Sequence, residues 1–329
     1  MFQPKLRTSD AVRFAGVTLP ALRKRAQAAN LTFPRVGARG HYLTHSISRQ
    51  VLRLPWRRQI ASWQIVKGGV GKTSLCHLFG TRACSLGARV LFIDLDQQAN
   101  LTESLLVSAD KPGIYALLSD AHPQTKASDV IVPVSDGLDL IPSSVHAALL
   151  DNLLLLGQHA LDRVLHQIIA PIQESYDLIF LDCPPALTPS VAAATLASDT
   201  VISPVAPESF SLTGLQLTVN HVQQLGQRFG KEQSIKILLN KFNSRAKLSS
   251  SIVSQIMSNP AFSSRYVPGF IRETTSIPSA IAAGSGLFED RRAKAVHEDI
   301  DSLIEAVCLE SSADTDSVDL GTLAERASA

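Results

Sequence analysis

One short segment constrains the fold of this 329-residue chain more than any other. Residues 67–73 have the sequence Lys-Gly-Gly-Val-Gly-Lys-Thr, directly after the apolar run 61–66 and before a helical run that continues to Leu86. A strand, a glycine-rich loop and a helix in this order are typical of a phosphate-binding loop. The glycines let backbone N–H groups turn toward an anion, and the helix N-terminus adds a partial positive charge. We therefore predict a phosphate site on this loop.

The side chains of the loop have separate predicted roles. Lys72 is placed to reach the β- and γ-phosphates of a nucleotide, and the Thr73 hydroxyl is placed to ligate Mg²⁺. Lys67 precedes Lys72 by five residues and is a second cation that one nucleotide does not obviously need. A cation of this kind can act across an interface, as an arginine finger does. The remaining predicted nucleotide contacts of the loop are Gly68, Gly69, Val70, Gly71 and Ser74.

Two further apolar strands end in carboxylates. The segment RVLFIDLDQQANLTESL at 89–105 contains Asp94 and Asp96 at the end of its apolar run, and YDLIFLDCPP at 176–185 runs into Asp182. Carboxylates that end strands beside a phosphate loop are suited to hold Mg²⁺ and its waters. Parallel strands that alternate with helices over about 230 residues predict a doubly wound α/β sheet, in which ligands bind at the carboxyl ends of the strands.

These motifs together resemble the ParA/MinD superfamily of P-loop ATPases, from about Trp63 to about Glu289. KGGVGKT resembles the deviant Walker A motif of that family, and further similar segments are LDLIPSS (138–144), VISPVAPESFSLTGL (201–215) and ILLNKF (237–242). The resemblance implies ATP and Mg²⁺ as cofactors and Mg²⁺-dependent hydrolysis of ATP. It also implies a homodimer that forms when ATP is bound, in which Lys67 reaches the ATP of the partner subunit.

The same resemblance assigns roles to individual residues. It implies that Asp96 orients the attacking water, that Asp94 supports the Mg²⁺ shell, and that Asp182 and Thr73 hold the metal. It further implies that Pro207 and Asn240 contact the adenine. Two positions depart from the family pattern, since the usual proline and glycine are replaced by Gln97 and Ala99.

The charge of the chain is unevenly distributed. The formal net charge is only +2, but residues 1–60 hold 12 Lys/Arg and a single acidic residue, Asp10, which gives +11 there and −9 in the rest. Such an asymmetry predicts two domains with different partners. We place a basic domain at 1–58, an ATPase domain at 59–309, and an acidic tail at 310–329 that its polar composition predicts to be disordered.

The basic domain has the pattern helix, turn, helix, basic loop, helix. Thr8 or Ser9 is expected to cap a short helix, Thr18 to cap a second one over 19–29, and the loop PRVGARGHY (34–42) is typical of a small β-wing. A helix-turn-helix places its second helix in the major groove, while nearby arginines meet phosphates. The pattern resembles the winged helix-turn-helix of MerR-type regulators; a basic appendage that binds nothing is the alternative. The predicted DNA contacts are Arg23, Lys24, Arg25, Arg35 and Arg39.

The distribution of apolar residues and cysteines excludes several classes of protein. No stretch approaches the ~18 consecutive apolar residues of a membrane helix, and the N-terminus lacks the apolar core of a signal peptide, so we expect a cytoplasmic protein without a membrane partner. The four cysteines form no CxxC pair, and they are expected to be buried apolar side chains.

The resemblance and the basic domain together favour a DNA-partition ATPase associated with the nucleoid. The ATP-bound dimer would bind DNA nonspecifically, a ParB-like partner would stimulate hydrolysis and release, and the basic domain would bind an operator for autoregulation. Two alternatives stay open: a site-specific transcription regulator with nucleotide as its ligand, and a ParA-like positioner of a protein cargo. Cations in the carboxyl half that could contact DNA, or could simply be solvated surface, are Lys241, Arg245, Lys247, Arg265 and Arg272.

Overall fold

The computed structural model describes residues 4–36, 40–108, 112–119, 124–143, 147, 149–156, 159–283 and 287–310. The predicted tail beyond residue 310 and the predicted DNA contact Arg39 lie outside these residues. The strands are β1 (Leu6–Arg7), β2 (Arg35–Val36), β3 (Gly40–Leu43), β4 (Gln59–Trp63), β5 (Val90–Asp94), β6 (Val132–Ser135), β7 (Leu138–Ile141), β8 (Leu178–Asp182), β9 (Thr200–Val205), β10 (Ser234–Phe242) and β11 (Tyr266–Arg272).

The helices complete the description of the elements. They are α1 (Thr8–Ala15), α2 (Leu19–Ala28), α3 (His45–Leu52), α4 (Lys72–Ser85), α5 (Asn100–Ser104), α6 (Ile114–Leu118), α7 (Ala127–Val130), α8 (Leu150–Leu156), α9 (Val164–Ile169), α10 (Pro189–Ala197), α11 (Ser211–Phe229), α12 (Lys247–Ser258), α13 (Pro260–Ser263), α14 (Ser276–Ala282) and α15 (Lys294–Cys308). Short 3₁₀ helices occupy Gln173–Ser175, Leu287–Glu289 and Arg291–Ala293. None of the described helices is long and apolar enough to cross a membrane.

Eight of the described strands form one sheet in the order β11-β10-β9-β4-β8-β5-β7-β6. Neighbouring strands are parallel except for β6, which pairs with β7 in the antiparallel sense. The predicted mostly parallel α/β sheet is therefore confirmed. Because the strands run in one direction, the carboxyl ends of β4, β5, β8 and β10 lie at one edge of the sheet, where ligands bind in such folds.

Helices cover both faces of this sheet. Along β8, Leu178 and Phe180 point into the layer that contains α4 and α15, while Ile179 and Leu181 point into the layer that contains α9 and α10. Successive side chains of a strand alternate between faces, so a strand buried on both sides needs an unbroken apolar run. This is why the sequence shows apolar runs instead of alternation, and it confirms the doubly wound arrangement.

The N-terminal region has its own small core. Helices α1 to α3 and the antiparallel sheet β1-β3-β2 pack around buried side chains of Leu6, Leu22, Leu43 and Val51. The Thr18 hydroxyl caps α2 as predicted, accepting a hydrogen bond from Ala21 N at 3.4 Å. The cap predicted for α1 is wrong: the helix begins at Thr8, the N-cap is Arg7 without a side-chain cap, and the Ser9 hydroxyl bonds Asp10 instead.

The N-terminal region packs on the amino-terminal edge of the large sheet. Arg49 of α3 pairs with Asp177 at 2.5 Å and donates to the Gly87 carbonyl at 2.8 Å, and His45 Nδ1 lies 3.5 Å from Asp136. Asp177, Gly87 and Asp136 come shortly before β8, β5 and β7 begin. At Gly87 the backbone has φ +101°, and an added Cβ would lie 2.6 Å from the Arg49 Cα. The close approach of α3 therefore requires glycine at this position.

Arg82, near the end of α4, is the centre of a buried ion network between the two regions. Its side chain is fully buried and donates to both oxygens of Asp301 at 2.7 and 2.8 Å and to Asp10 at 3.1 Å. Asp301 also pairs with Arg13 of α1. The Phe288 ring lies 4.5 Å from the guanidinium carbon. Since Asp10 and Arg13 belong to α1 and Asp301 to α15, the network holds the N-terminal region against the large sheet and its helices.

The Arg82→Met variant tests this network. Removal of the guanidinium leaves the buried Asp301 carboxylate with reduced compensation, and we expect a loss of about 3 kcal/mol in the free energy of unfolding. Urea denaturation measures this loss. The matched control is Arg292→Met, which removes the largely exposed pair with Asp290 and should cost at most about 1 kcal/mol. Equal losses in the two variants would contradict the structural importance of Arg82.

Candidate nucleotide-binding site

A cavity of about 660 Å³ lies over the phosphate loop at the carboxyl edge of the sheet. The structure brings the whole predicted loop, residues 67–74, and Asp96 to this cavity, whereas Asp94, Asp182, Pro207 and Asn240 are not among its lining residues. Further residues that the sequence did not single out also line it: His77, Gln98, Asn100, Glu103, Ser104, Leu106, Pro185, Ile281 and Ala282.

The loop has the backbone that an anion site requires. Gly69 and Gly71 have φ +81° and +90°, in the left-handed region that favours glycine. An added Cβ at Gly71 would lie 2.5 Å from the Asn240 amide nitrogen, so a larger residue there would displace the Asn240 side chain. Helix α4 begins at Lys72, and its free N–H groups and partial positive charge face the loop.

Lys72 and Asp182 form a buried ion pair beneath the loop. The Lys72 Nζ lies 2.7 Å from Asp182 Oδ1 and 3.2 Å from the Thr73 hydroxyl. Burial alone would lower the pKa of Lys72, but the Asp182 carboxylate raises it above its ordinary value. The other carboxylate oxygen, Asp182 Oδ2, is buried and accepts no hydrogen bond from the described residues. A buried oxygen without a donor, beside a hydroxyl, fits the oxygen ligands and waters that Mg²⁺ prefers.

Asp94 and Asp96 occupy different positions. Asp94 is buried and accepts hydrogen bonds from the Thr102 N–H and hydroxyl (2.9 and 2.7 Å) and from the Asp96 N–H (3.1 Å). Burial and the nearby Asp182 raise the pKa of Asp94 to about 7. Asp94 therefore braces the loop that carries Asp96, and its support of the Mg²⁺ shell stays a prediction. The Asp96 side chain lines the cavity, where a water-orienting carboxylate would have to lie.

The two predicted adenine contacts differ in their surroundings. The Asn240 side chain is buried and donates from Nδ2 to the Val70 carbonyl at 2.8 Å. Its amide therefore holds the phosphate loop, which sequence comparison alone did not predict. Pro207 is half-buried just after the end of β9. Contact of either residue with adenine stays a prediction.

Sequence reasoning missed Glu208 at the rim of the loop, and it named Lys241 there only as a possible DNA contact. Lys241 Nζ donates to the Gly69 carbonyl at 2.7 Å and to Glu208 at 3.1 Å, and Glu208 lies 4.0 Å from Lys67. Glu208 follows β9, whereas Lys241 lies near the end of β10, 33 residues further along the chain. No local pattern links them, so only the parallel sheet, which brings both strand ends to one edge, places them together.

Four of the predicted DNA contacts of the N-terminal region lie among the described residues, and all four are exposed. In α2, Leu22 and Ala26 face the small core, while Arg23, Lys24 and Arg25 are exposed. Arg35 in β2 is exposed as well. Within the part of the chain that the structure describes, these four cations form no ion pair. Other cations of the region face the body and bond its residues: Arg7, Arg13, Arg49 and Arg58.

Most of the candidate cations in the carboxyl half have partners within the chain. Arg272 pairs with Asp299 at 2.7 Å, Arg265 donates to the Ala261 carbonyl at 2.6 Å, and Lys241 is held at the phosphate loop. Arg245 and Lys247 are exposed. The side chains of Arg272, Arg265 and Lys241 are therefore engaged by other groups of the same chain.

The phosphate loop on a parallel, doubly wound sheet defines a P-loop nucleotide-binding protein. Residues 58–237 match the family described as an AAA domain. A ParA family protein of Chlamydia trachomatis is 30% identical over 245 residues, which cover 73% of this chain and 93% of that protein. The chain therefore belongs to the ParA family of P-loop ATPases.

Two solved structures share the fold. A putative plasmid partition protein from Borrelia burgdorferi with bound AMPPNP is 22% identical, with a TM-score of 0.62, over 76% of this chain and 99% of that one. A cobyrinic acid a,c-diamide synthase from Mycobacterium smegmatis with a bound ATP analogue and magnesium is 24% identical, with a TM-score of 0.60, over 75% of this chain and 94% of that one.

The Asn240→Ala variant distinguishes a loop brace from a base contact. Loss of the hydrogen bond leaves the buried Val70 carbonyl unpaired and destabilises the ordered loop by about 1–2 kcal/mol. Because nucleotide binds the ordered loop, we expect its affinity to fall by up to roughly 30-fold. We expect ATP and GTP affinities to fall together, measured by titration with fluorescent analogues. A selective loss of ATP affinity would instead indicate adenine contact. Asn243→Ala, whose amide bonds Glu273, is the control.

Proposed function

We propose that this protein is a DNA-partition ATPase that uses ATP and Mg²⁺. The observation that carries the proposal is the presence of two lysines, Lys67 and Lys72, on one phosphate loop beside Asp96, together with an outward cationic face on α2. A ParB-like partner would stimulate hydrolysis and release the protein from DNA. The similarity to the ParA family protein of Chlamydia trachomatis supports this choice.

Each group of the site has a part in the proposed hydrolysis of ATP to ADP and phosphate. Lys72 exchanges its contact with Asp182 for the β- and γ-phosphates. Thr73 and Asp182 would hold Mg²⁺, which would neutralise charge on the phosphates. Asp96 orients the attacking water. Asp94 keeps the Asp96 loop in place through its hydrogen bonds to Thr102 and to the Asp96 backbone.

Lys67 has a role that its own subunit does not explain. Its side chain is about one quarter exposed and lines the open cavity, whereas Lys72 is buried beneath the loop. A cation at the open rim is available to a second copy of the chain that meets it face to face. In the proposed homodimer, Lys67 stabilises the charge that develops on the partner's ATP.

Three variants test the dimer. We expect Lys72→Ala to lose both ATP binding and ATP-dependent dimerisation, because the phosphates lose their buried cation. Lys67→Ala should bind ATP but remain monomeric, since its cation acts on the partner. Asp96→Ala should form a dimer that persists because hydrolysis is blocked. Light scattering measures the mass and a fluorescent ATP analogue the binding; a wild-type mass that does not respond to ATP would contradict the proposal.

The N-terminal region is the proposed DNA-binding element, as a winged helix-turn-helix. Helix α2 is the second helix of the α1–turn–α2 unit, the position that enters the major groove in such domains. Its exposed cations are adjacent in sequence, and Arg35 extends the surface to the β-ribbon. We propose that this surface binds nucleoid DNA and an operator of its own gene.

Substitution of Arg23, Lys24 and Arg25 by alanine tests this surface. Each lost phosphate contact lowers the slope of log affinity against log salt concentration by about 0.9. We expect the slope to fall by about 2 to 3 and DNA affinity to drop at least tenfold at low salt, measured by fluorescence anisotropy of a labelled duplex. The control is Arg245→Ala with Lys247→Ala, which should leave both values unchanged. The reverse result would assign DNA binding to the ATPase body.

A further inference from the structure

A carboxylate lies between two lysines at the rim of the phosphate loop. Glu208 Oε1 accepts a hydrogen bond from Lys241 Nζ at 3.1 Å, while its other oxygen, Oε2, lies 4.0 Å from Lys67 Nζ. Lys241 donates to the Gly69 carbonyl as well, at 2.7 Å. The Glu208 carboxylate is thus shared by two ammonium groups. Lys241 lies closer to it, whereas Lys67 is the one that lines the cavity.

The backbone at Lys241 is what allows this arrangement. Side chains of successive strand residues normally point to opposite faces. Near the end of β10, however, Asn240 bonds the Val70 carbonyl and Lys241 bonds the Gly69 carbonyl of the same loop. Lys241 has φ +54°, a left-handed conformation that is unfavourable for a residue with a Cβ. Strained backbone of this kind is concentrated at functional sites.

Close packing against α11 restricts movement of the backbone at Lys67. An added Cβ at Gly214 of α11 would lie 2.8 Å from the Val66 carbonyl oxygen and 3.1 Å from the Lys67 Cβ. Helix α11 is therefore packed closely against the start of the loop. A change in the reach of Lys67 must come from its side chain, and Glu208 is the anion beside its ammonium group.

We propose that Lys241 is a positioning residue that controls how firmly Glu208 holds Lys67 within its own subunit. The inference rests on the proposed function, in which Lys67 leaves this position to reach the nucleotide of a second copy. Glu208 opposes the move because Lys67 must give up an ion pair. Lys241 reduces that opposition, since it neutralises part of the same carboxylate. Glu208 and Lys241 thus have opposite effects on dimer formation.

The test is the dissociation constant of the full-chain dimer at saturating AMPPNP, measured by sedimentation velocity. Partly exposed ion pairs are weak, so we expect changes of about two- to fivefold. Glu208→Gln should tighten the dimer by this factor, and Lys241→Met should weaken it. The double variant should behave as Glu208→Gln alone, because Lys241 then has no charge to neutralise. Lys241→Arg should restore the wild-type value.

Two further measurements separate positioning from loss of structure. ATP affinity is measured at protein concentrations below the dimer range, because Lys241→Met also removes the contact with Gly69. Lys236→Met, on the same strand β10, is the matched control and should leave the dimer unchanged.

The possible outcomes are distinct. Shifts of Glu208→Gln and Lys241→Met in the same direction, or no shift in either, would overturn the inference and leave the proposed function intact. Weaker dimerisation of Glu208→Gln would instead place the carboxylate in the dimer interface. If wild-type protein binds AMPPNP without any change in mass, the proposed dimer and this inference fail together.

Discussion

The ion pairs of the fully buried Arg82 guanidinium set the position of the N-terminal region relative to the large sheet. Helix α4 begins at the phosphate loop with Lys72 and ends just beyond Arg82, a span of about 21 Å at 1.5 Å per residue. One helix thus contributes to the nucleotide site at one end and to the N-terminal interface at the other. A buried cation must be paired, so Asp301 and Asp10 fix the positions of α15 and α1 relative to this helix.

The parts of the site that could be predicted from sequence are those fixed by the local chain. The glycines of the loop need left-handed backbone, and the apolar runs before Asp94 and Asp182 need a sheet buried on both faces; both requirements are visible in the sequence. The bracing of the loop by Asn240 and Lys241 was not predictable. It depends on strand order and on one left-handed residue at a strand end, neither of which has a periodic signal.

The charge asymmetry was informative but overstated the surface available to DNA. Of the 12 basic residues in positions 1–60, Arg7, Arg13, Arg49 and Arg58 bond groups of the ATPase body. Arg13, Arg49 and Arg58 meet acidic side chains of the same chain. Arg7 meets the backbone carbonyl of Glu289. These four positive charges therefore contribute to docking. The exposed positive charge lies on α2 and Arg35, and also on Arg53 and Arg57. The net charge of a segment predicts that it has an acidic partner. Only the folded structure shows how many of its cations are bound by the same chain and how many are exposed to another molecule.

The attachment of the N-terminal region at the amino-terminal edge of the sheet also sets the geometry of any assembly. The nucleotide cavity opens at the opposite edge. Two copies that meet at their cavities would therefore carry their α2 surfaces at the two outer ends, separated by both ATPase bodies. Such a particle would be suited to hold two separate stretches of duplex, or two distant points on one bent stretch, instead of clasping adjacent half-sites. ATP binding would then convert a monomer with one DNA-binding surface into a dimer with two.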